Sequence, residues 1–256
     1  MINDLLSTFG FLTILPLSNI AGGSTPRPGK MYAYFPLVGL VIGVIAAVLD
    51  LIRFIPRPAV AFLALAAWVV MTGGLHLDGL ADFCDGTLAA TTPERRREIM
   101  DDPHAGSWAM VGVALVLLGK FAAIQEVGPL LLILPPVMGR WAMVLAAALF
   151  PRATETGMAA RFANGFGQGQ VAGASITALL VAAVIAVLSA LTGGLGAVVL
   201  VVVAVLLSVL AAVVVGAWAS PRLGGGLTGD VYGAICELVE LVCLLALTLT
   251  FSLRIL

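Results

Sequence analysis

Three aspartates carry the most pointed chemistry in this sequence: Asp78, Asp82 and Asp85, within the segment GGLHLDGLADFCDG at residues 73–86. Their i, i+4, i+7 spacing stacks the carboxylates along one face of a helix. Left bare they repel, since two charges about 6 Å apart at an effective dielectric near 20 cost roughly 3 kcal/mol per pair. A solvated acidic helix end tolerates that repulsion, but this segment emerges straight from an apolar run and has no interleaved basic residue. A divalent cation reverses the sign of the interaction. All-oxygen ligation favours a hard ion, and Mg2+ commonly joins one or two carboxylates to substrate phosphates. The expected chemistry is magnesium-assisted phosphoryl transfer, with Asp78, Asp82 and Asp85 as metal ligands and Gly79 and Gly86 leaving room for a phosphorylated ligand. A base for an attacking hydroxyl would come from the cluster (Asp82 or Asp85), from His76 or from His104. His76 precedes Asp78 by two residues, which turns it roughly 200° away on a regular helix.

A second group of ionisable residues sits inside apolar stretches: Lys120, Arg140, Glu237 and Glu240. An isolated charge there costs about 3 kcal/mol or more, so these four are expected to face the protein interior. They pair between helices or contact metal or substrate, and the sequence does not say which acid meets which base. Just before Glu237 lies a glycine-rich loop, Leu223 to Asp230, whose amides and following helix start suit a phosphate, with Gly229 and Asp230 at the junction. Arg152, Arg161 and Arg222 are candidates for phosphate contacts, whereas Arg95, Arg96 and Arg97 read as a run facing solvent or lipid headgroups.

The elements that must position these groups are membrane helices. The chain has 256 residues, 61% of them hydrophobic and 11% charged, with mean hydropathy +1.12. That is far more apolar than an ordinary soluble domain. Seven stretches suit a spanning helix of roughly 20 residues: near 32–53, 59–77, 108–126, 129–150, 172–191, 197–218 and 232–253. The expectation is an all-α, polytopic membrane helical bundle forming one catalytic domain over residues 1–256. The apolar segment from Leu5 to Leu17 is shorter and ends at Pro16, so it reads as an interfacial or re-entrant piece. Alternate connections carry Arg27, Lys30, Arg95, Arg96, Arg97, Arg152, Arg161 and Arg222 on one side, against Arg53, Arg57 and Arg254 on the other. The richer side is assigned to the cytoplasm, and the same side holds most of the acids, Glu155 among them. Val171 to Val215 has no ionisable group and reads as scaffold. Cys84, Cys236 and Cys243 show neither CxxC spacing nor a histidine partner and read as packing residues.

Residues 73–86 resemble the signature of the cobalamin synthase family, the adenosylcobinamide-GDP ribazoletransferases. Further stretches match that family in order: FLTILPL at 11–17, FPLVGLVIG at 35–43, REIMDDPHAG at 97–106, GKFAAI at 119–124, Gly139-Arg140, and GGGLTGDVYGAICELVE at 224–240. The family usually has Lys-Asp-Ser-Arg where this chain has Asp101, Asp102, Pro103 and His104. Asp102 matches the family acid and joins the catalytic candidates; position 104 lacks the family arginine. The resemblance implies transfer of the cobinamide-phosphoryl group of adenosylcobinamide-GDP to a ribosyl hydroxyl of alpha-ribazole or its 5′-phosphate, with GMP released and Mg2+ as cofactor. It implies a bacterial inner membrane location, the lipid bilayer as surroundings and no nucleic-acid partner, and it leaves a homo-oligomer open. DGxADxxDG is also similar to the CDP-alcohol phosphotransferase motif, although that motif has Arg where Asp82 stands. A transporter using Lys120, Arg140, Glu237 and Glu240 as a pathway is the remaining alternative, without the paired interrupted helices such proteins show.

Overall fold

A computed structural model describes residues 2–19, 27–154 and 160–253, so Glu155 and Arg254 lie outside the described residues. Among the described residues the regular structure is helical: α1 Ile2–Leu12, α2 Pro28–Asp50, α3 Arg57–Thr72, α4 Leu75–Leu88, α5 Pro93–Met100, α6 Ser107–Glu126, α7 Leu131–Leu149, α8 Gln168–Leu191, α9 Gly193–Arg222 and α10 Gly229–Leu253. Six of these are long and apolar enough to cross a membrane, namely α2, α6, α7, α8, α9 and α10. The short α1 agrees with the non-spanning reading of Leu5–Leu17.

The expected span over 59–77 is broken. α3 has 16 residues, about 24 Å of helix, which falls short of a hydrocarbon core of roughly 30 Å. Gly73 and Gly74 follow with φ of 59° and 72°, a left-handed pair that only glycine adopts readily, and α4 leaves at 87° to α3. Counting the bent pair as one crossing restores seven spans. The bend carries the aspartates across the end of the bundle instead of along its axis.

α10 is the central element. It packs against α4, α6, α7 and the α8–α9 pair, and 72% of its most apolar window is buried, against 22% for α8. Leu179, Leu180, Val184, Leu195 and Leu206 point outward, as expected where lipid replaces protein as the apolar partner. α4 meets α10 backbone to backbone: a Cβ on Gly79 would lie 2.9 Å from the Asp230 carbonyl oxygen, and one on Gly233 3.2 Å from that of His76. Arg96 and Met100 of α5 close on Gly86, whereas Gly79 packs against α10 and also lines a cavity at this end of the bundle. Cys84, Cys236 and Cys243 are free and buried, in keeping with a packing role.

Opposite the aspartates, Arg57 gathers the end of α6. Its Nε donates to the Gln125 carbonyl at 2.9 Å and Nη2 to those of Ile124 and Val127 at 2.6 and 2.8 Å, while Nη1 pairs with buried Asp50. Carbonyls left unpaired at a helix end thus receive charged donors.

Candidate active site

Asp78 stands in the first turn of α4, with its amide bonded to the Gly74 carbonyl at 2.9 Å. It lines a cavity of about 340 Å³ together with Asp101, Asp230, Arg97, Thr154 and Thr228. These residues come from the start of α4, the end of α5, the segment after α7 and the start of α10, all at one end of the bundle. Asp82, one turn further along α4, is acted on as a like charge by Asp230, Asp78, Asp85 and Asp101. Four carboxylates thus press on a fifth.

Asp85 has a second occupation. Its Oδ2 accepts from the Gly106 amide at 2.6 Å and its Oδ1 from the Ala109 amide at 2.9 Å, so it caps the first turn of α6 and ties α4 to it. A Cβ on Gly106 would lie 2.7 Å from the Asp85 carboxylate, which explains glycine there. The three aspartates share one helix, but only Asp78 lines the cavity and Asp85 is turned to α6.

The fit to a metal is of an open kind. Among the described residues no three His, Cys, Asp or Glu side chains stand close enough to enclose an ion. The donor set is nonetheless all oxygen and strongly like-charged, which suits the magnesium mode of one or two carboxylates completed by water and phosphate.

At α10, Thr228 donates to Asp230 Oδ2 at 3.2 Å. The preceding loop turns through Gly224 and Gly225 at φ of 90° and 107°, and Arg97 donates to the Leu223 carbonyl, pinning α5 to the loop. Arg152 pairs in parallel with Leu227: the Ala153 amide donates to the Leu227 carbonyl at 3.0 Å and the Leu227 amide to the Pro151 carbonyl at 2.9 Å. Gly229 and Asp230 both line the cavity. Arg222 does not: its guanidinium lies 4.0 Å over the Trp218 ring and donates to the Trp218 carbonyl.

Deeper in the bundle the intramembrane charges find one another. Lys120 Nζ donates to Glu237 at 2.6 Å and also to Glu240, Arg140 pairs with Glu240, and the Trp68 ring lies 5.1 Å from the ammonium. All four charged side chains are at most 5% exposed, and none lines the cavity. The network is an interhelical ion cluster joining α6, α7 and α10. Arg140 Nη2 also reaches His76 Nδ1 at 3.4 Å. An arginine only donates, so this contact makes Nδ1 the acceptor and puts the imidazole proton on Nε2. His76 thus touches the ion cluster through Nδ1 and also lines the cavity.

Asp102 is 55% exposed and outside the cavity lining, bonded to the His104 amide at 2.9 Å and to its ring at 2.7 Å. The His104 amide, then the His104 ring, hold its carboxyl below the ordinary aspartate value. Its neighbour Asp101 faces the cavity instead. Arg97 likewise departs from the solvent-facing reading, since it is 27% exposed and lines the cavity while Arg95 pairs with Glu98 outside. Thr228, inside the glycine-rich loop, and Thr154 line the cavity too, and no spacing signal marks Thr154.

Fold and site together define a multi-pass helical membrane protein with an acid-lined cavity at one end of its bundle. The chain belongs to the family described as Cobalamin-5-phosphate synthase, which matches residues 4–248. It is 38% identical to the adenosylcobinamide-GDP ribazoletransferase of Roseiflexus sp. (strain RS-1) over 251 residues, covering 96% of this chain and 89% of that one. The enzymes of the same name from Pseudomonas putida (strain GB-1) and Desulfitobacterium hafniense (strain Y51) are 38% and 34% identical, covering 93% and 92% of this chain and 95% and 92% of theirs. No solved structure matches the chain.

Proposed function

We propose that this chain is an adenosylcobinamide-GDP ribazoletransferase of the bacterial inner membrane, working at the cytoplasmic face with Mg2+. The observation that carries the reading is the convergence of Asp78, Asp101 and Asp230 on one cavity that also holds Arg97 and the start of α10. A diphosphate needs its charge neutralised before a hydroxyl can attack phosphorus. Asp78 and Asp230 would hold the ion, with water and phosphate completing its shell and Asp82 and Asp101 close by, and the ion would supply Lewis-acid neutralisation of the diphosphate when bound.

The acceptor's ribosyl hydroxyl oxygen forms a new bond to the phosphorus that carries cobinamide, the anhydride P–O bond breaks, and GMP leaves with that electron pair. The hydroxyl proton passes to a carboxylate of the cluster. Arg97 offers charge-assisted bonds to phosphate oxygens, and the Gly229 and Asp230 amides at the start of α10 orient the leaving phosphate. The buried ion cluster holds α6, α7 and α10 in register beneath this end.

The test is GMP release from adenosylcobinamide-GDP and alpha-ribazole, or its 5′-phosphate, by detergent-purified protein with and without Mg2+. Metal-dependent GMP release supports the proposal. CMP release from a CDP-lipid in its place would move the assignment to the CDP-alcohol phosphotransferases, and solute uptake into liposomes without nucleotide turnover would make the chain a transporter.

A further inference from the structure

Beside the acidic cavity lies a second one, of about 410 Å³, with different chemistry. Its walls are aromatic: Tyr32, Phe150, Phe162, Phe166 and Tyr232, with Arg152 among them and no carboxylate. The Tyr32 ring centroid lies 4.8 Å from that of Phe166 and 5.5 Å from that of Phe162. The arrangement is built by the backbone, because the Gly29 amide at the head of α2 bonds to the Asn164 carbonyl at 2.9 Å, and a side chain on Gly29 would collide with that segment. Arg152 is held in place by its parallel pairing with Leu227, the residue that leads into α10 and the acidic cavity.

Among the described residues Arg152 has no carboxylate partner, and it acts electrostatically on both Tyr32 and Tyr232. An exposed guanidinium beside flat apolar walls is a receptor for a planar ring carrying an anion. The rings offer stacking and the arginine offers bidentate bonding to phosphate. The volume falls within the roughly 300–1,000 Å³ usual for small-molecule sites. A narrow apolar space joins the two cavities, sharing Phe11, Met143 and Gly229 with the acidic one and Tyr32, Phe162 and Tyr232 with the aromatic one. The two cavities therefore adjoin through a shared apolar wall.

We infer that the aromatic cavity is the acceptor site: its rings stack on the heteroaromatic base of a nucleoside, and Arg152 takes that nucleoside's phosphate. This rests on the transfer reading above and deepens it, since it assigns donor and acceptor to separate cavities of opposite character. The diphosphate donor goes to the acidic cavity, where a cation must mediate. The acceptor monophosphate goes to the cationic one, where none is needed.

Calorimetric titration of the detergent-solubilised full chain with alpha-ribazole 5′-phosphate and with alpha-ribazole tests this directly, independently of turnover. Arg152→Gln is expected to weaken the phosphate ester about tenfold or more and to leave the unphosphorylated nucleoside unchanged. Phe166→Leu, at a half-buried position, is expected to weaken both by roughly tenfold. Adenosylcobinamide-GDP binding and the melting temperature should be unaltered in both variants, which separates a local effect from misfolding. The assignment is overturned if Arg152→Gln binds the ester as wild type does, or if it weakens the donor instead. Wild-type protein that binds the ester but releases no GMP would sink the transfer reading and leave the acceptor site standing. GMP release that is indifferent to Arg152→Gln and Phe166→Leu at limiting acceptor would sink the site alone.

Discussion

Replacing Glu240 by Gln should unsettle the whole bundle, and its size can be worked from the contacts. Glu240 is fully buried and bonds to both Lys120 and Arg140, which are themselves at most 2% exposed. Glutamine keeps the volume but removes the charge, leaving two buried cations to share Glu237. Breaking a buried pair by neutralising one partner costs about 3–5 kcal/mol. For a chain of this size each kcal/mol moves the melting temperature by roughly 2–4 °C, so the expected fall is roughly 6–20 °C. The three buried thiols, Cys84, Cys236 and Cys243, provide the readout, because a thiol-reactive dye reaches them only as the helices separate. Glu98→Gln is the control: its partner Arg95 is 65% exposed, and the melting temperature should stay within about 2 °C. Adding Lys120→Met to Glu240→Gln leaves one cation and one carboxylate, and should recover part of the loss. A Glu240→Gln protein that melts with wild type would refute the reasoning, since the cluster would then contribute nothing net.

Further outcomes follow from the geometry at the end of the bundle. Asp85→Ala removes the acceptor for the Gly106 and Ala109 amides and should lower stability by about 1–2 kcal/mol, read by the same thiol assay. Gly79→Ala puts a Cβ 2.9 Å from the Asp230 carbonyl oxygen and 3.1 Å from its Cα, where only backbone could yield; the variant should melt well below wild type and lose turnover together. Asp102→Asn should leave turnover within about twofold because its carboxylate is occupied with His104 outside the cavity, whereas Asp101→Asn should lower it by tenfold or more, on the order of one lost charge interaction.

The helical membrane architecture was legible because apolar length is a one-dimensional signal, and the acid motif stood out because a run of aspartates is costly beside lipid. The break at Gly73–Gly74 was hidden, since hydropathy runs on through glycine and only backbone dihedrals reveal the 87° turn. The role of Asp85 was invisible for another reason: the amides it caps lie 21 and 24 residues away. The ion cluster was foreseen as a set but not as pairs, because pairing depends on how each helix is rotated. Rotation also decides between neighbours: Arg97 and Asp101 face the cavity while Arg95 and Asp102 face out, and a run of like residues conceals which member points inward. The resemblance marked Asp102, whereas the cavity contains Asp101.

The central claim is that the carboxylates gathered around the acidic cavity perform magnesium-dependent phosphoryl transfer. The most direct test is the initial rate of GMP release from adenosylcobinamide-GDP, titrated with Mg2+, for Asp78→Asn and Asp230→Asn beside wild type, each variant first shown to keep the wild-type melting temperature. The account predicts that both lose nearly all turnover and that higher Mg2+ restores little of it. Wild-type rates with wild-type magnesium dependence in both variants would contradict it.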